Sequence, residues 1–314
     1  METRAIVINQ YGGKDKLEEA MVALPELGAH QVLVKVEATS INPIDWKLRE
    51  GYLAQMFPWT FPIILGWDVA GTIAEIGSEV TEWQVGEKVF ARPDTTKFGT
   101  YADDAIVDDH LLARIPDNTS FAEAAAVPLA GLTAYQALVD HGKLQAGQKV
   151  LVHAGAGGVG TYAIQLAKAK GAYVYTTASE KNHDLLKTLG ADEVIDYRTT
   201  DFREVAKDVD VVLDTMAGEV QLHSLEVMKP GGRLISILNI EDEAKAKELG
   251  IEAKAIWLNP DGEQLQEIAD MMAKGEVRSV IGAEFPLTAQ GVYEAHALSE
   301  THHAVGKIVI VQPN

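Results

Sequence analysis

The sequence contains no cysteine. Disulfides, thiolate zinc sites and a cysteine nucleophile are therefore excluded. The absence fits a reducing compartment, and the cytoplasm is the expected location. Positive charge is scarce: 27 lysines and arginines stand against 46 aspartates and glutamates, a formal net charge of −19 over 314 residues. That balance disfavours nucleic acid and anionic membrane surfaces as partners, because both are held through Lys and Arg. Long apolar runs are missing too. The longest, Ala124 to Val139, is interrupted by Pro128, Gly131 and Gln136 and falls short of the roughly 20 residues that span a bilayer. The opening METRAIVI has no basic start leading into a longer apolar stretch, so no targeting segment is expected. Internal repeats and low-complexity tracts are also absent.

What remains is an ordinary globular mix, 47% hydrophobic and 23% charged. The length allows two domains. Up to about residue 120 the chain reads as short strands and turns. QVLVKVEAT alternates apolar and polar residues, and WDVAGTIAEIG and EKVFARP are punctuated by Gly66, Gly71, Gly77 and Gly86. From about Gln148 the rhythm changes. KVLVHA, AYVYTTA, EVIDY, DVVLDT and GRLISIL alternate with helical patterns, and KAIWL reads as the last, exposed edge. Such runs imply a parallel sheet buried on both faces and doubly wound, an α/β fold. Gly171 and Gly190 lie where helices end, and Ser179 is placed to cap the helix before Gly190. After Pro260 two amphipathic helices and a final strand, KIVIV, are expected to return to the β-rich domain. The expected domains are 1–124, completed by 262–314, and 125–261.

One motif carries chemistry. Gly155-x-Gly157-x-x-Gly160 follows a strand and opens a helix, with Gly158 and Val159 between. Alone the pattern is weak and fits a plain glycine-rich turn; in this context it is the dinucleotide fingerprint. Gly155 makes the tight turn, Gly157 admits the pyrophosphate to the backbone, and Gly160 lets helix pack on strand. The helix N-terminus then meets the phosphates. About 20 residues on, the acid that holds a ribose 2′-hydroxyl would fall near Ala178, which has no carboxylate. Ser179 and Lys181 follow it and suit a 2′-phosphate, so NADPH is the expected cofactor. Glu180 would favour NADH if it pointed into the site; as a first-turn helix acid it has a simpler role.

NPIDW (42–46), GWDVAGTIAEIG (66–77), VGEKVF (85–90), AAVPLAGLTAYQAL (125–138), HAGAGGVG and the terminal GKIVIV occur in order along nearly the whole chain. Together they resemble the medium-chain dehydrogenase/reductase superfamily, and within it the zinc-independent quinone oxidoreductases. The resemblance implies a GroES-like β domain, a Rossmann domain and an active site in the cleft between them. Alcohol dehydrogenases of that superfamily hold a catalytic zinc through Cys and His. Here Asn42 stands at the Cys position and Trp67 at the His position, so no metal site is expected.

Without a Lewis acid, an electron-poor acceptor is the easier hydride partner. The resemblance therefore implies an NADPH-dependent reductase of a small-molecule quinone or α,β-unsaturated carbonyl. It places Asn42 beside the acceptor, where its amide can donate to an oxygen. Tyr52 is the other expected catalytic residue, and Trp46 and Trp67 are expected to line the pocket, although each aromatic alone is more often core. A Tyr carried by several such reductases just after NPxD is Lys47 here, so its role does not carry over. Thr133, Tyr197, Ala217, Ile237, Leu238, Asn239 and Trp257 are implied as further cofactor contacts, and a homodimer as the assembly. Lys307 is a weaker suggestion that also fits a structural role. With no evident general acid, the rival expectation is a non-catalytic NADPH-binding sensor or structural protein.

Overall fold

Six short strands form the dinucleotide-type sheet, in the order Glu193–Asp196, Tyr173–Ala178, Lys149–Val152, Val209–Asp214, Met228–Ser236 and Glu252–Ala255. Every neighbouring pair is parallel. Val150, Leu151, Val152 and Val212 are completely buried, which is why these strands are continuous apolar runs. The order reverses at Lys149–Val152, the switch point at which such sheets bind ligands beyond their carboxyl ends. The computed structural model describes residues 1–313, and the chain divides into two units, Gly131–Asn259 and Met1–Ala130 together with the segment from Pro260 onward.

In the first of these units the helix Gly158–Ala169 follows the first strand, and Gly171 closes it in the left-handed conformation (φ 80°). Gly190 closes the helix His183–Thr188 in the same way (φ 107°). Ser179 does not cap that helix. It heads a single 3-10 turn, Glu180–Asn182, and its hydroxyl accepts from Asn182 Nδ2 at 3.3 Å.

The other unit is β-rich. One sheet runs Ile281–Pro286, Lys307–Val311, Gln31–Ile41, Val69–Ile76, Lys88–Ala91 and Leu112–Arg114, with Asp104–Asp108 also paired to Gln31–Ile41. A second, three-stranded sheet joins Glu18–Ala23, Glu2–Ile8 and Ile63–Ile64. The returning tail is part of this core: Ile308 and Ile310 pack in one cluster with Ile6, Ile64 and Trp67. Lys307–Val311 pairs antiparallel to Gln31–Ile41, which sets Ile308 opposite Ile41. The strand Ile281–Pro286 was not expected; its apolar positions Ile281, Ala283 and Phe285 are only half-buried, and Gly282 and Pro286 weaken its strand pattern.

Candidate functional site

In the unit Gly131–Asn259 the site is made of backbone. Ala154 adopts φ 50°, and the turn is held by the Ala154 and Gly155 amides, which donate to Thr177 Oγ1 (3.2 Å) and Thr177 carbonyl oxygen (3.0 Å). A Cβ on Gly155 would lie 2.0 Å from Thr176 Oγ1, and one on Gly160 would lie 2.5 Å from the Ala154 carbonyl oxygen. Neither position admits a side chain. At Gly157 the nearest atom to a Cβ is Ala154 O at 3.3 Å, so here the missing side chain leaves space rather than avoiding a clash. Gly157 caps the helix, and the amides of Gly158, Val159 and Gly160 begin it, where no preceding turn supplies acceptors. This cradle fits a pyrophosphate.

Beneath the turn lies His153, which the sequence did not single out. Thr177 Oγ1 donates to His153 Nδ1 at 3.2 Å. His153 Nε2 donates to Ser224 Oγ at 2.8 Å, because the Ser224 hydroxyl is itself spent on the Val220 carbonyl. Burial holds the imidazole neutral, with its pKa lowered to about 4.

Ala178 pairs with Asp196 in register, so Ser179 and Tyr197 follow the ends of neighbouring strands. Ser179 is buried, Lys181 is exposed and Tyr197 is 57% exposed. Arg198 lies 5.8 Å from the Tyr197 ring centre and adds a cation to this corner. The loops at Ala217 and at Ile237–Asn239 are locked together. Asp214, fully buried, accepts from the Met216 and Ala217 amides (both 3.0 Å), from Gln221 Nε2 (2.7 Å) and from Ser236 Oγ (2.7 Å). Gln221 Nε2 also donates to the Asn239 carbonyl at 2.7 Å. Asp214 and Gln221 thus shape both loops, and neither belongs to any local motif. Thr133 is buried at 7% exposure, whereas Leu238 and Trp257 stand out at 42% and 58%.

In the β-rich unit the site is made of side chains. Asn42 precedes the helix Pro43–Arg49, and its backbone N–H donates to Asp45 Oδ2 at 2.8 Å, a local turn bond. Asp45 Oδ2 also accepts from the Tyr101 hydroxyl at 2.8 Å, and Asp45 Oδ1 has no partner among the described residues. Burial raises the Asp45 pKa to about 7, against the pull of the Asn42 amide and the Tyr101 hydroxyl. Asn42 Nδ2 donates to Asp68 Oδ2 at 2.7 Å, and Lys307 Nζ donates to Asn42 Oδ1. Asp68 is also held by Ser40 Oγ (2.6 Å) and by the Leu129 amide (2.8 Å). Asp68 was not among the expected site residues, and Lys307, the weaker suggestion, is drawn into the same cluster.

The expected pocket residues divide. Tyr52 is 72% exposed. Trp46 is half-buried, and its Nε1 is enclosed without an acceptor among the described residues. Trp67 presents no surface: it is 0% exposed, packs 6.1 Å from Trp59 and donates Nε1–H to the Thr96 carbonyl. The pocket role expected of Trp67 gives way to a core one, because it points into the apolar cluster with Ile64 and Tyr101. The Asn42 carboxamide is clamped between Lys307 and Asp68, with an ammonium in the neighbouring space, and among the described residues no three His, Cys, Asp or Glu gather as ligands.

Residues 28–136 match the family described as alcohol dehydrogenase GroES-like domain, and residues 189–310 that described as zinc-binding dehydrogenase. The chain is 35% identical to a chloroplast envelope quinone oxidoreductase homolog of Arabidopsis thaliana, over 98% of this chain and 97% of that one. It is 34% identical to an Arabidopsis thaliana protein named NADPH-dependent alkenal/one oxidoreductase, chloroplastic, over 98% of this chain and 79% of the relative. The solved quinone oxidoreductase of Coxiella burnetii superposes with a TM-score of 0.91 at 35% identity, covering all of both chains. A doubly wound dinucleotide sheet joined to a GroES-like β unit defines a pyridine-nucleotide-dependent oxidoreductase. The chain belongs to the medium-chain dehydrogenase/reductase superfamily, among its quinone oxidoreductases. Among the described residues no helix is long and apolar enough to cross a membrane.

Proposed function

We propose that the enzyme is an NADPH-dependent, zinc-independent reductase of quinones or α,β-unsaturated carbonyls. The observation that carries this reading is the carboxamide of Asn42, fixed by Lys307 and Asp68 at the position where a zinc enzyme of this superfamily needs a ligand. The relatives named for quinones and for alkenals and enones support the acceptor class.

Bound NADPH supplies a hydride. The chain's own residues bind and orient. The Gly155–Gly160 turn and helix N-terminus hold the pyrophosphate through backbone amides. Ser179, Lys181 and Tyr197 meet the 2′-phosphate, while the absence of a carboxylate at Ala178 removes the group that would repel it. Thr133, Trp257 and the tied loops at Ala217 and Ile237–Asn239 serve the nicotinamide side. Asn42 donates to the acceptor oxygen as negative charge grows there. Trp46 and Tyr52 flank a flat acceptor with apolar surface. A homodimer formed through the exposed sheet edge, where the strand is Glu252–Ala255 and stops short of the Ile256–Leu258 part of the expected KAIWL run, and a cytoplasmic location complete the proposal.

Turnover after exhaustive chelation tests this directly. NADPH oxidation by a simple quinone should proceed unchanged with metal content at background. Activity that is lost on chelation and restored by zinc would overturn the reading.

A further inference from the structure

The contacts around Asn42 leave its amide orientation no choice. Lys307 is a fully donating group and can only face an oxygen; the Asp68 carboxylate oxygen accepts and faces the N–H side of the carboxamide. A flipped carboxamide would set N–H against ammonium and oxygen against carboxylate. Lys307 is 3% exposed, and its Nζ also donates to the Ile41 carbonyl at 2.9 Å and lies 3.6 Å from Asp68 Oδ2. Two of its protons are therefore bonded to oxygen, and the Asp68 carboxylate lies within ion-pair distance of the ammonium. On Asn42 one Nδ2–H is committed to Asp68, and by count one remains.

An ammonium bound to a carboxamide oxygen draws electron density from the nitrogen. The remaining N–H becomes a stronger donor, as hydrogen-bonded groups in low dielectric polarise one another. We propose that Lys307 is a positioning residue for hydride transfer: through Asn42 Oδ1 it fixes and polarises the amide whose free Nδ2–H meets the oxygen of the acceptor. The proposal rests on the reading that Asn42 faces the acceptor. It assigns the C-terminal strand Lys307–Val311 a part in the reaction as well as in the fold, since its register against Gln31–Ile41 delivers Lys307 beside Asn42.

The charge on Lys307 is also titratable. Burial lowers its pKa from the ordinary lysine value, while Asp68 and Asp45 oppose that change. Arg92, buried nearby, faces the same two carboxylates, and Tyr101 is bonded to Asp45. Loss of the proton with rising pH removes the polarising charge, so hydride transfer should carry an alkaline limb.

The test is the pH profile of single-turnover NADPH oxidation at saturating quinone, with NADPH binding followed separately by fluorescence. Lys307→Met should lower the rate roughly tenfold to a hundredfold with unchanged NADPH affinity, the effect of one lost charged hydrogen bond, and should abolish the limb. Lys307→Arg should recover much of the rate and move the limb out of range, because guanidinium keeps its proton. Asp68→Asn/Lys307→Met removes both buried charges, so the measurement survives if the single variant misfolds; the limb should be missing there too. An alkaline limb shared by the wild type and every Lys307 variant, or a full rate in Lys307→Met, would overturn the proposal. Asn42→Ala separates the two levels: a large rate loss there with an unaffected Lys307→Met refutes the role of Lys307 alone, whereas a full rate in Asn42→Ala refutes the reading beneath it.

Discussion

The two units of this enzyme build their sites by opposite means. In Gly131–Asn259 the candidate phosphate cradle is backbone: four glycines and the start of one helix, all within six consecutive residues. In the β-rich unit the site is side chains from Gln31–Ile41, Asn42, the loop at Asp68 and the C-terminal strand, drawn together by sheet pairing. The first depends on the shape of a turn, so a side chain where none fits should destroy it. The second depends on compensated charge, so removing one partner should be the damaging change.

The largest effect should come from Gly155→Val. Its side chain would enter the space of Thr176 Oγ1, 2.0 Å away from the first added atom, and Thr176 is completely buried. A loss of about 4 kcal/mol or more is expected from such overpacking combined with backbone displacement. Calorimetry should show it, and cofactor binding should vanish. A variant with unaltered melting and full NADPH affinity would break the claim that the turn is sterically fixed.

Asp68→Leu should follow closely. It leaves the Lys307 ammonium buried and without its counter-ion, at a cost of about 3–5 kcal/mol. Denaturant unfolding measures this, and Asp68→Leu/Lys307→Met should recover part of the loss. If the double variant is no more stable than the single one, the pair is not compensating and the contrast between the units weakens.

The smallest effect belongs to an exposed charge. Lys181→Ala should weaken NADPH roughly tenfold, about 1.4 kcal/mol, because solvent and salt screen an exposed lysine. NADH should be unaffected, since a 2′-hydroxyl gives the ammonium no comparable partner. Fluorescence titration of both cofactors at two ionic strengths reads this, and the difference should shrink at the higher one. Equal weakening of both cofactors would show that Lys181 supports the shared adenosine site and leave selectivity to Ser179, Tyr197 and Arg198.

The same contrast explains what could be read in the sequence. The strands of the parallel sheet and the glycine turn were legible because the information is local: β-branched runs, helix-ending glycines and fixed spacing lie in short windows. The Asn42–Asp68–Lys307 cluster was not. Its members are 26 and 265 residues apart from Asn42 in the chain, and no local pattern announces that an antiparallel register will set Ile41 beside Ile308. Trp67 was read as a pocket wall because an aromatic in a loop carries no sign of which way it points; packing against Trp59 turns it inward. Ser179 looked like a helix cap because Ser before an amphipathic run usually is one, but a 3-10 turn intervenes and Asn182 takes that place. His153 and Asp214 escaped notice for the same reason as Asp68: their partners lie on other strands and helices.

The central claim is that hydride passes from NADPH to an electron-poor acceptor at a site with no Lewis acid. Single-turnover stopped-flow measurement of NADPH oxidation, with metal-free enzyme against a panel of quinones, α,β-unsaturated carbonyls and saturated aldehydes, tests it most directly. The account predicts rapid oxidation by quinones or enones, slower by orders of magnitude in Asn42→Ala, and negligible oxidation by saturated aldehydes. Tight NADPH binding without oxidation by any acceptor, or oxidation by saturated aldehydes that appears only when zinc is added, would contradict it.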